Sequence, residues 1–247
     1  MIFKNLSGVG AQVMDLKEAI VDFVLPPVCI VCKKHLSPAE KIVCHVCWEN
    51  LAILPSPFCP ACKSFLDKSL SCRGCREETS LCAARSLGTF DDYFQKLIHG
   101  FKYQQKISLG KRLGKTLGEK LREDKIAEKF DCLVPVPLHS ARKRDRGFNQ
   151  SEILALEMSE ATDLPVLKKL LKRTKNTKDQ TKLTPQERIE NVKGAFVLTD
   201  PEIVAGTRVI LVDDVMTTGA TLGECASVLL EAGAERVIGA TIAVALI

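Results

Sequence analysis

Aromatic side chains and net charge are both scarce in this chain of 247 residues. Aromatics make up 5% of it, with one Trp, so platforms for stacking bases are sparse. The formal charge of +5 is a mild basic excess, too small by itself to establish a polyanion as partner. No apolar run reaches the length that crosses a bilayer. Met1-Ile2-Phe3-Lys4 is followed by Asp15, Lys17, Glu18 and Asp22 among the apolar residues, which is not the pattern of a secretory signal. The expectation is a cytoplasmic protein without a transmembrane segment.

Cysteine, in contrast, is abundant. Eight of the eleven cysteines form four Cys-x-x-Cys pairs: Cys29/Cys32, Cys44/Cys47, Cys59/Cys62 and Cys72/Cys75. Cys82, Cys132 and Cys225 are scattered. Without an export signal, metal thiolates fit this pattern better than disulfides. Redox dithiols would leave the even spacing, with gaps of eleven, eleven and nine residues, without a reason. Each pair puts two sulfurs on one tight knuckle, and two knuckles complete a tetrahedral zinc site, so eight ligands imply two Zn2+ ions. Pairing in sequence order gives tandem ribbons, whereas interleaved pairing gives a cross-brace. The Pro55-Ser56-Pro57 break favours the tandem form. His35 and His45 are not needed as ligands. The segment is too poor in apolar residues to fold alone, so metal binding supplies its folding energy.

An apolar content of 46% and this length allow one α/β domain plus a smaller module. Residues 13–25 are apolar at Val13, Leu16, Ile20, Phe23 and Val24, an amphipathic helix ending before Pro26-Pro27. Its polar face is mixed in charge, which favours packing on the body over lying on a membrane. Strands are expected at 86–90, 131–137, 164–167, 195–198 and 236–245, and helices at 92–98, 109–121, 151–161 and 222–232. A charged, mobile loop is expected from residue 170, leading to a short helix that Thr184 caps and Pro185 opens. From about residue 131 strands alternate with helices, the pattern of a parallel sheet covered on both faces.

The most informative stretch is Val209-Ile210-Leu211-Val212-Asp213-Asp214-Val215-Met216-Thr217-Thr218-Gly219-Ala220-Thr221. A buried strand delivers two carboxylates and a hydroxyl-rich turn to the C-terminal edge of the sheet, where open α/β sheets bind ligands. Small residues before a helix start make a phosphate cradle. Paired acids suit ribose hydroxyls, or a magnesium ion shared with substrate phosphates. Two adjacent acids ending a buried strand are disfavoured by desolvation unless a ligand or partner meets them. A second run, Leu138-His139-Ser140-Ala141-Arg142-Lys143-Arg144-Asp145-Arg146-Gly147-Phe148-Asn149-Gln150, follows the strand ending at Pro137. It is strongly basic and leads into a helix capped by Asn149 or Ser151, a place for a polyanion.

The stretch ending at Thr221 resembles the phosphoribosyl pyrophosphate (PRPP) signature of type I phosphoribosyltransferases. With the thiolate knuckles and the runs Val134-Pro135-Val136-Pro137-Leu138 and Arg146-Gly147-Phe148-Asn149-Gln150, the chain resembles the ComF/GntX family from about Val28 onward. Thr181-Lys182-Leu183-Thr184, Arg188, Asn191-Val192 and Gly194-Ala195-Phe196 resemble that family's flexible-loop region. The resemblance implies an α/β fold, a type I phosphoribosyltransferase-like parallel sheet flanked by helices, with a small N-terminal zinc-ribbon module. After the N-terminal amphipathic helix over 1–27, it implies a double zinc ribbon over 28–80 and a phosphoribosyltransferase-like domain over 81–247. PRPP with Mg2+ would bind Asp213, Asp214, Val215, Met216, Thr217, Thr218, Gly219, Ala220 and Thr221. Pyrophosphate would lie against Leu138, His139, Ser140, Ala141 and Arg142. DNA or phosphate would meet Arg142, Lys143, Arg144 and Arg146, with Lys102, Lys106, Lys111, Arg112 and Lys115 extending the basic path. The implied role is handling single-stranded DNA during natural transformation, with competence partners such as a helicase and a seat peripheral to the inner membrane. The alternative is an active phosphoribosyltransferase of nucleotide metabolism or salvage, acting on a base or an amine.

Overall fold

The computed structural model describes residues 26–75, 79–104, 106–141, 144, 147–175 and 183–245. The helix expected over residues 13–25 lies outside them. The chain divides into two compact units, Met1–Glu49 and Asn50–Ile247.

The first unit holds a knuckle at Cys29 and a short helix α1 (His45–Glu49). The knuckle is closed by Cys29 N donating to Lys34 O at 2.8 Å, Lys33 N to Cys29 O at 2.9 Å and Leu36 N to Pro27 O at 2.8 Å. The second unit repeats this turn thirty positions later. Cys59 N donates to Ser64 O at 2.9 Å, Lys63 N to Cys59 O at 2.9 Å and Leu66 N to Pro57 O at 2.8 Å.

Beyond that knuckle the second unit runs β1 (Ala83–Thr89), α2 (Asp92–Tyr103), α3 (Ile107–Glu123), β2 (Cys132–Pro135) and α4 (Gln150–Thr162). It continues with β3 (Leu171–Arg173), α5 (Pro185–Val192), β4 (Phe196–Leu198), β5 (Arg208–Met216), α6 (Ala220–Glu231) and β6 (Arg236–Val244). Four strands form a parallel sheet in the order β1-β6-β5-β2. Successive side chains of β5 point to opposite faces. Val209 and Leu211 join Leu222, Cys225, Ala226 and Leu229 of α6 in one apolar cluster. Ile210 and Val212 are fully buried on the other face, the side against which α2, α3 and α4 pack. No helix among the described residues is long and apolar enough to cross a membrane.

α3 lies close against α4 because it presents glycine there. A Cβ on Gly118 would sit 2.7 Å from Ala161 Cβ, so any side chain at that position would push the helices apart. This contact holds the C-terminal end of α4 against α3, while the other end of α4 begins at the edge that carries the acids.

Two expectations are corrected. Residues 164–167 do not form a strand: Val166 makes one isolated parallel bridge to Leu133, and Pro165 has no N–H to continue a ladder. Residues 171–173 are not loop but strand β3, antiparallel to β4. Arg173 faces inward there, buried, with its guanidinium 5.2 Å from the Phe196 ring centroid. The short helix after it is as expected, with Thr184 and Glu187 forming a capping box and Pro185 in the first turn.

β1 is an edge of the parallel sheet, and the second ribbon covers that edge. Leu54 N donates to Leu87 O at 2.6 Å, Phe58 N to Ala84 O at 2.8 Å and Ala84 N to Phe58 O at 2.9 Å. Arg236 of β6 donates through Nη2 to Ser69 O at 3.0 Å and Leu70 O at 2.9 Å. An open edge would otherwise leave these backbone groups unpaired.

Candidate functional site

The carboxylates close the C-terminal end of β5, and each has a partner from a different helix. Asp213 Oδ1 accepts from Ser151 Oγ at 3.0 Å and from Asp214 N at 2.9 Å. Asp214 Oδ1 lies 2.7 Å from Lys102 Nζ, with both side chains largely shielded. Burial, and then the charge of Asp214 beside it, push the Asp213 carboxyl up to about 7. Asp213 is therefore readily protonated near neutral pH.

The signature loop continues from there. Met216 is buried and its carbonyl accepts from Ala245 N at 2.9 Å. Val215, Thr217, Thr218, Ala220 and Thr221 are partly exposed. Gly219 adopts φ +80°, in the left-handed region that favours glycine, and opens α6. Gly223 N closes the first turn on Gly219 O at 2.7 Å. The helix N-terminus and the Thr hydroxyls thus lie on the same edge as the acids, an arrangement suited to a phosphate.

β2 runs beside β5 and ends at the same edge, with Val136 N donating to Val212 O at 2.9 Å. Its loop is drawn back by Asn149, whose Nδ2 donates to Val136 O at 3.1 Å and whose Oδ1 caps α4 by accepting from Ser151 N. Leu138, His139, Ser140 and Ala141 follow the strand end, with Ala141 N donating to His139 Nδ1 at 3.3 Å. Arg144 is exposed. Arg142, Lys143 and Arg146 lie outside the described residues. Phe148 stacks on Phe101 of α2 at 5.9 Å between ring centroids.

Lys102 and Ser151 complete the site in ways their sequence positions do not announce. Ser151 reads as a helix cap, yet its hydroxyl serves Asp213. Lys102, between Phe101 and Tyr103, reads as one more surface cation. The available signal was that an unpaired acid doublet needs a cation from elsewhere.

The eight paired cysteines form two groups, Cys29/Cys32/Cys44/Cys47 and Cys59/Cys62/Cys72/Cys75, each with all Sγ atoms within 4.8 Å of one another. Neighbouring knuckles therefore pair in tandem, with Cys32 Sγ 3.8 Å from Cys44 Sγ and Cys62 Sγ 3.6 Å from Cys72 Sγ. Burial opposes ionisation of Cys29, but the N–H groups of Cys32, Cys44 and Val31 outweigh it and hold the thiol down to about 6. Four converging sulfurs fit a structural zinc site in both groups.

The phosphoribosyl transferase domain family model matches residues 106–245, and the double zinc ribbon domain matches residues 20–76. Competence protein F of Haemophilus influenzae (strain Rd) is 32% identical over 215 residues, covering 85% of this chain and 93% of that protein. The DNA utilization protein YhgH of Escherichia coli O157:H7 is 31% identical over 220 residues, covering 86% and 95%. Competence protein ComFC of Bacillus subtilis (strain 168) is 30% identical over 205 residues, covering 80% and 81%. The chain belongs to the family of competence protein F and ComFC, and in it a double zinc ribbon leads into a phosphoribosyl transferase domain.

Proposed function

We propose that this protein binds PRPP with Mg2+ at the Asp213–Thr221 edge and works in DNA uptake, handling incoming single-stranded DNA in the cytoplasm. The observation that carries the reading is the acid pair near the end of β5, two residues before the Thr/Gly turn that opens α6. The 5-phosphate fits the Thr217–Thr221 turn, the ribose hydroxyls fit Asp213 and Asp214, and the pyrophosphate fits the loop from Leu138 to Arg142. The DNA role draws its support from relatives named as competence and DNA utilization proteins. On this reading its partners are other competence proteins, a helicase among them, near the inner membrane.

Isothermal calorimetry with Mg2+ and PRPP is expected to give saturable binding that Asp214→Asn weakens by roughly 10- to 100-fold, as loss of a charged hydrogen-bond acceptor does. Unchanged affinity in the variant would reject the site assignment. Adding bases and amines to the same mixture and following pyrophosphate release separates a transferase from a binding protein. Single-stranded DNA is expected to bind through Arg142, Lys143, Arg144 and Arg146, with affinity falling as salt rises. A flat salt dependence would reject this electrostatic account.

A further inference from the structure

The ammonium of Lys102 stands where the paired acids would otherwise need an outside cation. It is 2.7 Å from Asp214 Oδ1, with 18% of the Lys102 side chain and 13% of the Asp214 side chain exposed. Asp213 is not part of that pair and accepts from Ser151 instead. Lys102 is also held in place by its neighbour. Phe101 is fully buried, stacks on Phe148 and presses its ring against Gly110. The last turn of α2 therefore touches the loop after β2 through Phe101 and the end of β5 through Lys102. It joins the two halves of the site. That turn lies upstream of residues 106–245, the span matched by the phosphoribosyl transferase domain.

We propose that Lys102 is a positioning residue of the phosphoribosyl site and acts as its built-in cation. It orients Asp214 toward the ribose hydroxyls and supplies the positive charge beside the acid pair. The sugar phosphate is then held without a free divalent ion, and Mg2+ is needed only by the diphosphate of PRPP. A buried carboxylate deprived of its ammonium would have to recruit another cation or be left uncompensated.

The inference rests on the PRPP reading, so the probes are chosen to separate the two. Ribose 5-phosphate carries the 5-phosphate and the ribose hydroxyls but no diphosphate. Calorimetry would measure its affinity, and that of PRPP, for the parent, Lys102→Met and Lys102→Arg, in EDTA and in Mg2+. The parent is expected to bind ribose 5-phosphate about equally, within roughly twofold, in both conditions. Lys102→Met should lose roughly 10- to 100-fold in EDTA and recover part of that loss when Mg2+ is added. Lys102→Arg, which keeps the charge, should stay near the parent. A purely structural role would not give rescue by a metal ion. Parent-like affinity of Lys102→Met in EDTA would overturn the proposal, as would a parent whose ribose 5-phosphate affinity depends strongly on Mg2+. A parent that binds neither probe would overturn the PRPP reading itself, and this inference with it. A parent that binds PRPP but not ribose 5-phosphate would overturn the built-in cation alone.

Discussion

Exchanging Cys59 and Cys72 for Ser should lower the melting temperature of the second compact unit by roughly 10 °C and release one zinc ion per chain. Those cysteines sit in the ribbon that pairs with β1. Zinc binding is folding energy for so small a thiolate module, and the ribbon in turn covers the open edge of the parallel sheet. Without the metal, the hydrogen bonds from Leu54 and Phe58 to β1 and those from Arg236 to Ser69 and Leu70 lose the scaffold that presents them. The same exchange at Cys29 and Cys44 falls in the other compact unit. It should also release one zinc, leaving the melt of the second unit near its parent value. Differential scanning fluorimetry with metal analysis measures both quantities. An unchanged melt after loss of zinc from the Cys59 cluster would remove the ribbon from the account of the sheet's stability. Parent protein with fewer than two zinc ions would contradict the two-cluster assignment.

What could be read from the sequence followed locality. Residues Val209 to Thr221 announce themselves because strand, acids, turn and helix start are contiguous, and β5, the Gly219 opening and α6 all appear in that order. The knuckles are equally local, since Cys-x-x-Cys carries its own geometry. β3 was hidden because one of its two inward residues is Arg173, whose charge masks the alternation that marks a strand. Burial there depends on the face of Phe196, a residue on another strand. The pairing of the ribbon with β1 was hidden for a different reason. Leu54 and Phe58 flank a proline-broken segment that has no strand period, and only the neighbouring edge gives their backbone a partner. Lys102 is the plainest case. Nothing near it in the chain requires a cation, and its partner arrives only when β5 and α2 meet at one edge of the sheet.

Replacing Asp213 with Asn should stabilise the protein at pH 8 while weakening PRPP binding by roughly 10- to 100-fold. The carboxyl is raised from 3.8 to about 7 by burial and by the charge of Asp214. A folded-state value above the unfolded one means that folding takes up a proton between the two. Stability from this group is fully present below about 3.8 and is lost as pH rises through about 7. Asn does not titrate, so the advantage of the variant is absent near pH 4, grows across that window and levels off above it. Its plateau is on the order of 4 kcal/mol, since each pH unit between the two values is worth about 1.4 kcal/mol. The Asn side-chain oxygen can still accept from Ser151 Oγ and Asp214 N, so the local geometry is retained and the change isolates charge. Urea unfolding at a series of pH values checks the slope, and calorimetry checks the ligand. A variant no more stable than the parent at pH 8 would contradict the buried-charge account of Asp213. A variant that is more stable yet binds PRPP as the parent does would mean that the charge is not held for that ligand. The opposite signs of the two effects are what a ligand site predicts. On the proposed function, the destabilising acid is kept at the end of β5 because the ligand arriving from solvent needs it.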